Sequence, residues 1–336
     1  MKIFFLLQHK NLPSSRVRVI NLIPELNKYD IKAEYRYVPK GIAESLKVLF
    51  ECRQYDIVFI QKKLFSPLYL LLLRFFSKKI IFDLDDAIFL KDVSDKERDF
   101  SNPKAWRSWT KLIKFNLMCK LSDFVIAGNT YLKNEAMKYT NKVAVIPSSV
   151  PFNSSIPSRL NYKDKAIPVI GWIGTAGNHC HLKLFEDSLQ KIAKNYTFKL
   201  RIVSDRPYFI KGVNCEFHQW KLKTQELDIE EFDIGIMPLF DTPWSRGKCS
   251  YKLLQYMAAG VPFITSAVGM NIDIAHDNSV GYAVINKKDL EEKMIFLLLN
   301  EDQRISMGRI GSEIIEEKYS IQTVCQSLIK IFYKVV

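Results

Sequence analysis

The chain has 336 residues, more than the roughly 100–200 of one domain, and reads as two. Apolar residues at 48% and charged residues at 25% are the balance of a soluble globular protein and exclude a disordered one. The net charge of +13 is uneven: residues 1–150 hold 26 Lys+Arg against 15 Asp+Glu (+11), the remainder 23 against 21 (+2). The first half is therefore expected to face something anionic: nucleic acid, a phosphate-bearing substrate or an acidic membrane.

The N-terminus carries five apolar residues, Ile3 to Leu7, before a polar turn, which predicts a strand over 2–7 and not a signal peptide. A helix over 15–28 follows, with Ser14 or Ser15 as its cap. Arg16 and Arg18 stand in its first turn, where the helix dipole disfavours cations. They are candidates for binding a donor or acceptor phosphate, with plain solvent exposure as the alternative. Strands are expected over 32–37, 57–61, 79–83, 123–127 and 142–146, and helices over 66–76, 103–121 and 130–139. This alternation indicates a doubly wound parallel sheet. The longest apolar run near the middle of the first half, Leu68–Leu73, is far short of the roughly 20 residues of a spanning helix.

Two segments suit a lipid surface. Leu64–Phe76 is nearly all apolar and is followed by Ser77-Lys78-Lys79, although a Leu-rich helix between parallel strands is usually core. Lys104–Lys120 interleaves Trp106, Trp109 and Phe115 with Lys104, Arg107, Lys111, Lys114 and Lys120.

Ile146–Ser158 holds three prolines and five serines and marks an interdomain connection, assigned to 151–165. A second series of strands is expected at 168–173, 199–204, 233–237, 262–265 and 281–284, with helices near 181–194, 250–259 and 288–299. Two such sheets in tandem place a ligand in the cleft between them, at the carboxyl ends of the strands. The six cysteines are scattered with no CxxC pair, as expected of reduced thiols, and no structural zinc site is expected.

The most informative stretch runs from Phe232 to Ile264. A strand ends at Pro238, and a polar loop with Arg246, Gly247 and Lys248 leads into a helix whose first turn contains Ser250. Free backbone N–H groups, a positive helix end and two cations then meet at one point, a natural site for a diphosphate. Lys252 lies one helical turn past Lys248. An ordinary βαβ unit with solvated lysines is the alternative.

The same stretch, closing in Ala258-Ala259-Gly260-Val261-Pro262-Phe263-Ile264, resembles the signature of GT-B glycosyltransferases of the retaining group that includes family 4. Ile170–Gly177 resembles the first strand and glycine loop of their donor domain, and Asp277–Val284 its late turn and strand. The resemblance implies an N-terminal Rossmann-like acceptor domain over 1–150 and a nucleotide-sugar donor domain over 166–315. The two doubly wound α/β domains would face a central cleft, with a C-terminal helix over 316–336 returning to the first domain. It implies transfer of a sugar from a nucleotide diphosphate donor (UDP- or GDP-type) to a glycan or lipid-linked acceptor in polysaccharide or glycoconjugate synthesis, with retention.

Carried onto this chain, Gly174, Thr175, Ser204, Arg206, Arg246, Lys248, Ser250, Lys252 and Gln255 would bind the donor. Arg206 or Trp220 would stack on the base, with core packing the alternative for Trp220. Asp85 and Asp86 stand where the family often has His-Asp, so Asp85 would orient or deprotonate the acceptor hydroxyl; a helix cap or an ion pair is the alternative. Asp83-Leu84-Asp85 also matches the D-x-D metal motif of the GT-A class, but the tandem layout favours a cleft without metal or cofactor. His179 and His181, flanking Cys180, suggest contact with a phosphate or sugar hydroxyl more than a metal.

Two departures from the family stand out. Its paired glutamates are replaced by Gly247 and Gln255, and its Arg and Lys after the first donor strand by Thr175 and Cys180. Arg246, Lys248 and Lys252 are then expected to carry the phosphate charge. An epimerase or hydrolase on the same fold is the nearest rival. A nucleic-acid binder lacks any recognition motif. The expected location is cytoplasmic, peripheral at the inner face of a membrane.

Overall fold

The computed structural model describes residues 1–9, 12–91, 108–152 and 167–336. Most of the expected linker, and Lys104, Trp106 and Arg107, lie outside the described residues.

The first half is a six-stranded parallel sheet of β1 (Lys2–Leu7), β2 (Lys32–Tyr37), β3 (Ile57–Gln61), β4 (Ile80–Leu84), β5 (Phe124–Ala127) and β6 (Val143–Val145), in the order β2-β1-β3-β4-β5-β6. Between them run α1 (Pro13–Arg18), α2 (Ile23–Asn27), α3 (Ile42–Cys52), α4 (Pro67–Phe76), α5 (Trp109–Leu121) and α6 (Thr130–Met137). The inner strands read as unbroken apolar runs because helices cover both faces. The helix expected over 15–28 is three pieces, α1, a 3-10 turn Ile20–Leu22 and α2. Pro24 has no N–H to continue the ladder. Neither Ser14 nor Ser15 caps α1, whose first turn opens on Pro13.

The second half is another six-stranded parallel sheet: β7 (Val169–Ile173), β8 (Lys199–Ser204), β9 (Cys215–Gln219), β10 (Ile234–Met237), β11 (Phe263–Ser266) and β12 (Gly281–Val284). Its order, β12-β11-β10-β7-β8-β9, reverses direction between β7 and β10, so their carboxyl ends border the crevice where such sheets take ligands. Its helices are α7 (Lys183–Ala193), α8 (Gln225–Glu230), α9 (Pro243–Arg246), α10 (Tyr251–Ala258), α11 (Met270–Ile274), α12 (Lys287–Leu299) and α13 (Glu301–Ile314). A π-helical turn, Ile315–Tyr319, leads to α14 (Ile321–Val335), capped by Ser320.

α14 packs Val324, Cys325, Leu328 and Phe332 against Ile3, Phe5 and Phe59 of the first sheet. A second core runs without interruption from that sheet's other face into the second half, joining Phe82 and Phe115 to Phe232, Tyr256 and Met257. The two sheets thus share buried surface, and the doubly wound GT-B architecture expected from the sequence is the one observed.

Candidate functional site

The carboxyl end of β10 continues through Pro238 into α9, a single turn capped by Thr242 and stopped at Gly247. Lys248 and Cys249 then bridge to Ser250, whose left-handed backbone (φ 47°) turns the chain into α10. Among the described residues, no backbone carbonyl accepts from the N–H groups of Ser250 and Tyr251. α10 therefore opens with unspent donors and the positive end of its dipole.

Lys252 is carried by the first turn of α10 to the end of β7. Its ammonium lies 4.2 Å from the centroid of the Trp172 ring, a cation–π contact. A Cβ at Gly174 would stand 2.8 Å from the Lys252 Nζ, so only glycine leaves the ammonium this place. Burial, and secondarily the charge of Lys248, push Lys252 down to about 7. No carboxylate offsets them among the described residues. An ammonium held so, against a ring and beside a second lysine, lacks an anion.

Other expected donor contacts are placed differently. Arg246 is half exposed and bound at both ends by Asp241, at 2.7 and 2.8 Å. The Ser250 hydroxyl donates to Asn271 at 2.6 Å. The Ser204 hydroxyl lies 2.9 Å from His179 Nε2 and 3.3 Å from Asp205. The Gly174 N–H is spent on Val203 and that of Ala176 on Asp205, so these two amides of the glycine loop are engaged. Thr175 and Arg206 stand exposed at the rim. His179 is buried between Trp172 and Tyr208, and burial pushes its imidazole down. His181 is buried and accepts from the Phe240 N–H. Trp220 packs partly buried against the core and donates to Gln225. Gln255 lines a crevice with Tyr251, Glu226, Glu230, Val150 and Pro151.

On the first domain, Lys62 ends β3 in a left-handed conformation (φ 52°). Its Nζ lies 3.4 Å from Asp85 Oδ1 and pairs with Asp86 Oδ2. Burial works against the Lys62 charge, but Asp85 and then Asp86 outweigh it and hold the ammonium charged. Asp85 Oδ1 is buried and makes no hydrogen bond. Asp83, inside β4, faces opposite to its neighbours Phe82 and Leu84 and pairs with Arg18, whereas Asp85 lies just past the strand. The aspartates of the D-x-D triplet therefore serve different partners. No group of three or more potential metal ligands is assembled among the described residues.

Arg18 corrects an expectation. It is only 5% exposed, bidentate to Asp83, and its third contact is the Ile146 carbonyl at 2.8 Å. It ties α1 to the sheet, buried against Asp83 rather than presented to a ligand. Arg16 is half-buried, and its charge acts on the Tyr251 phenol across the cleft, against the burial that holds that phenol at about 12.

The two halves meet at the site. A Cβ at Gly247 would come within 2.7 Å of the Ala87 Cβ and 3.0 Å of its N, directly after Asp85-Asp86. Gly247 thus stands where the first domain's backbone leaves no room for a side chain. Cys249 Sγ donates to the Asp85 carbonyl at 3.1 Å. Asn129, which spacing alone does not single out, also reaches across.

Residues 167–300 match the family model described as Glycosyl transferases group 1. No curated protein matches the chain by sequence. By fold, HepE of Anabaena in complex with UDP has a TM-score of 0.71 at 14% identity, covering 99% of this chain and 100% of that one. Sucrose-phosphate synthase from Thermosynechococcus elongatus has a TM-score of 0.74 at 12% identity, covering 100% and 99%. The lipopolysaccharide outer core galactosyltransferase WaaB has a TM-score of 0.65 at 15% identity, covering 99% and 100%. The fold is therefore the GT-B fold of these structures, and within the C-terminal half residues 167–300 are similar to the group 1 glycosyltransferase model.

Proposed function

We propose that the protein transfers a sugar from a nucleoside diphosphate sugar to a hydroxyl of a glycan or lipid-linked glycan, with retention and without a metal. The observation that carries this reading is Lys252, an ammonium without a counter-ion at the β7–β10 crevice, beside Lys248 and the open start of α10. These groups would receive the diphosphate and the negative charge that grows on it as the glycosidic bond breaks. Fixed charge aimed there is the largest catalytic contribution available to such a site. That HepE of Anabaena is described in complexes with UDP and with UDP-glucose fits a nucleotide donor.

The Asp85 carbonyl accepts from Cys249, and Ala87, directly after Asp85-Asp86, lies against Gly247. Asp85 would orient the acceptor hydroxyl and accept its proton, with Lys62 paired to both carboxylates. Arg246 and Asp241 form the outer rim. Contact between the halves would exclude water and so limit donor hydrolysis.

The acceptor side is proposed to dock on an anionic membrane. No helix among the described residues is long and apolar enough to cross one. α4, however, buries only Leu70 and Leu73 and exposes Leu68 (71%), Leu71, Leu72 and Phe75 (75%). Packed beside it, α3 exposes Ile42, Leu46 and Phe50, and α5 exposes Trp109 and Ile113. Apolar faces with lysines and arginines nearby suit a headgroup layer.

A thermal-shift screen against UDP-, GDP- and other nucleotide sugars, followed by turnover in EDTA, tests the reading. One nucleotide class is expected to stabilise the protein and its sugar to be transferred with EDTA present. No stabilisation by any nucleotide, or activity that returns only with Mn²⁺ or Mg²⁺, would overturn it in the respective part.

A further inference from the structure

Asn129 joins β5 to α6, is 3% exposed, and uses its side-chain amide at both ends. Its Oδ1 accepts from the Leu132 N–H at 2.8 Å and so caps α6 in the first domain. Its Nδ2 donates to the Lys248 carbonyl at 2.9 Å and to the Arg246 carbonyl at 3.3 Å in the second. The orientation of the amide is not arbitrary: one partner is a donor and two are acceptors, which only this arrangement satisfies. The residues around it repeat the contact. Gly247 lies on Ala87, and Cys249 donates to the Asp85 carbonyl and fills the space where Gly128 would carry a Cβ. Each of the four residues 246–249 is thus held by the carboxyl ends of β4 and β5.

We infer that Asn129 is a positioning residue that fixes the Arg246–Lys248 loop only when the two domains are apposed, and so couples formation of the phosphate grip to arrival of the acceptor domain. This rests on the glycosyltransferase reading above. Lys248 has its backbone carbonyl in the Asn129 clamp and its charge beside Lys252. A shift of that carbonyl moves the lysine that faces the diphosphate. With the domains apart, Arg246 and Lys248 lose both hydrogen bonds, the loop relaxes and the grip is incomplete. The reactive arrangement is then assembled with Asp85 in place, which disfavours cleavage of the donor before an acceptor can be engaged.

Two variants separate this role from helix capping. Asn129→Asp keeps an oxygen for Leu132 and loses both donors. Asn129→Ser also keeps a capping oxygen but is too short to span to the loop. Hydrogen exchange followed by mass spectrometry, on the whole protein without substrate, is expected to show peptides covering 246–252 exchanging at least tenfold faster in both variants. Peptides at the start of α6 are expected to be unchanged. With the donor found by the nucleotide-sugar screen, kcat is expected to fall at least tenfold and the dissociation constant for UDP, or the matching nucleoside diphosphate, to rise at least threefold, because the grip on the diphosphate is incomplete. Unchanged exchange over 246–252, or faster exchange there with kcat and nucleotide affinity both unchanged, would overturn the inference. Faster exchange over 246–252 in a protein that turns over no nucleotide sugar would leave the clamp standing and remove the glycosyltransferase reading instead.

Discussion

Lys252 has no partner carboxylate, in contrast to Arg246 with Asp241, and its proton makes that difference measurable. With the ammonium pushed down to about 7, the free protein at pH 8 holds Lys252 largely neutral. A bound diphosphate favours the charged form and raises that value, so binding at pH 8 is expected to take up a proton. Calorimetry with UDP in buffers of different ionisation enthalpy reads this directly, and Lys252→Met should abolish the uptake. By linkage, affinity should decline as pH rises above about 7. Stability of the free protein should rise over the same range, because the unfolded chain there binds more protons than the folded one. Zero proton uptake by the wild type would sink the assignment. Gly247 makes a second residue-scale prediction. Restoring the family's glutamate, Gly247→Glu, puts a side chain onto Ala87 and is expected to lower turnover at least tenfold rather than improve it. A gain in activity would show that the contact between the halves yields.

At the scale of elements, α1 illustrates what spacing conveys and what it conceals. Two arginines in a first turn look like an anion site, yet Arg18 faces the sheet and Asp83 while Arg16 faces the cleft. Two residues apart within α1, the arginines point to opposite sides of the helix, about 200° apart at 3.6 residues per turn. The corrected role predicts that Arg18→Met leaves a fully buried carboxylate unpaired and costs about 3–5 kcal/mol, read by chemical denaturation. Nucleotide affinity should stay unchanged in that variant; a loss of UDP binding with intact stability would return Arg18 to the ligand. Most strands were legible because parallel strands covered on both faces are continuous apolar runs, as in Ile57–Ile60 and Ile170–Ile173. β9 escaped because Cys215-Glu216-Phe217-His218-Gln219 is an edge strand with mixed polarity. α3 escaped because half its apolar residues face outward and blur the helical period. Of the site, the lysines after β10 were legible from their helix-start position. The Arg246–Asp241 pair and the Asn129 clamp depend on loop geometry and on contact between distant strands, which no local pattern carries.

For the molecule as a whole, the charge of +11 on residues 1–150 and the exposed faces of α3, α4 and α5 belong to the same half. A second copy of the chain seated on this face would bring like charges together, whereas an anionic bilayer offers both hydrocarbon and countercharge. Each basic residue near such a surface contributes on the order of 1 kcal/mol, screened over about 8–10 Å at physiological salt. The aromatic and leucine side chains add a component that salt does not screen. Two signatures are therefore expected in vesicle co-sedimentation. Binding to anionic vesicles should exceed binding to neutral ones and weaken as salt rises, with Lys111→Glu and Lys114→Glu together reducing it several-fold. Leu71→Asp with Phe75→Asp should remove the part that persists at high salt, without altering stability, since both side chains are already exposed. Equal partition to neutral and anionic vesicles would assign the charge to a different anion. Binding that vanishes entirely at high salt would mean that α4 never enters the headgroup layer, leaving its leucines to cover some other apolar surface.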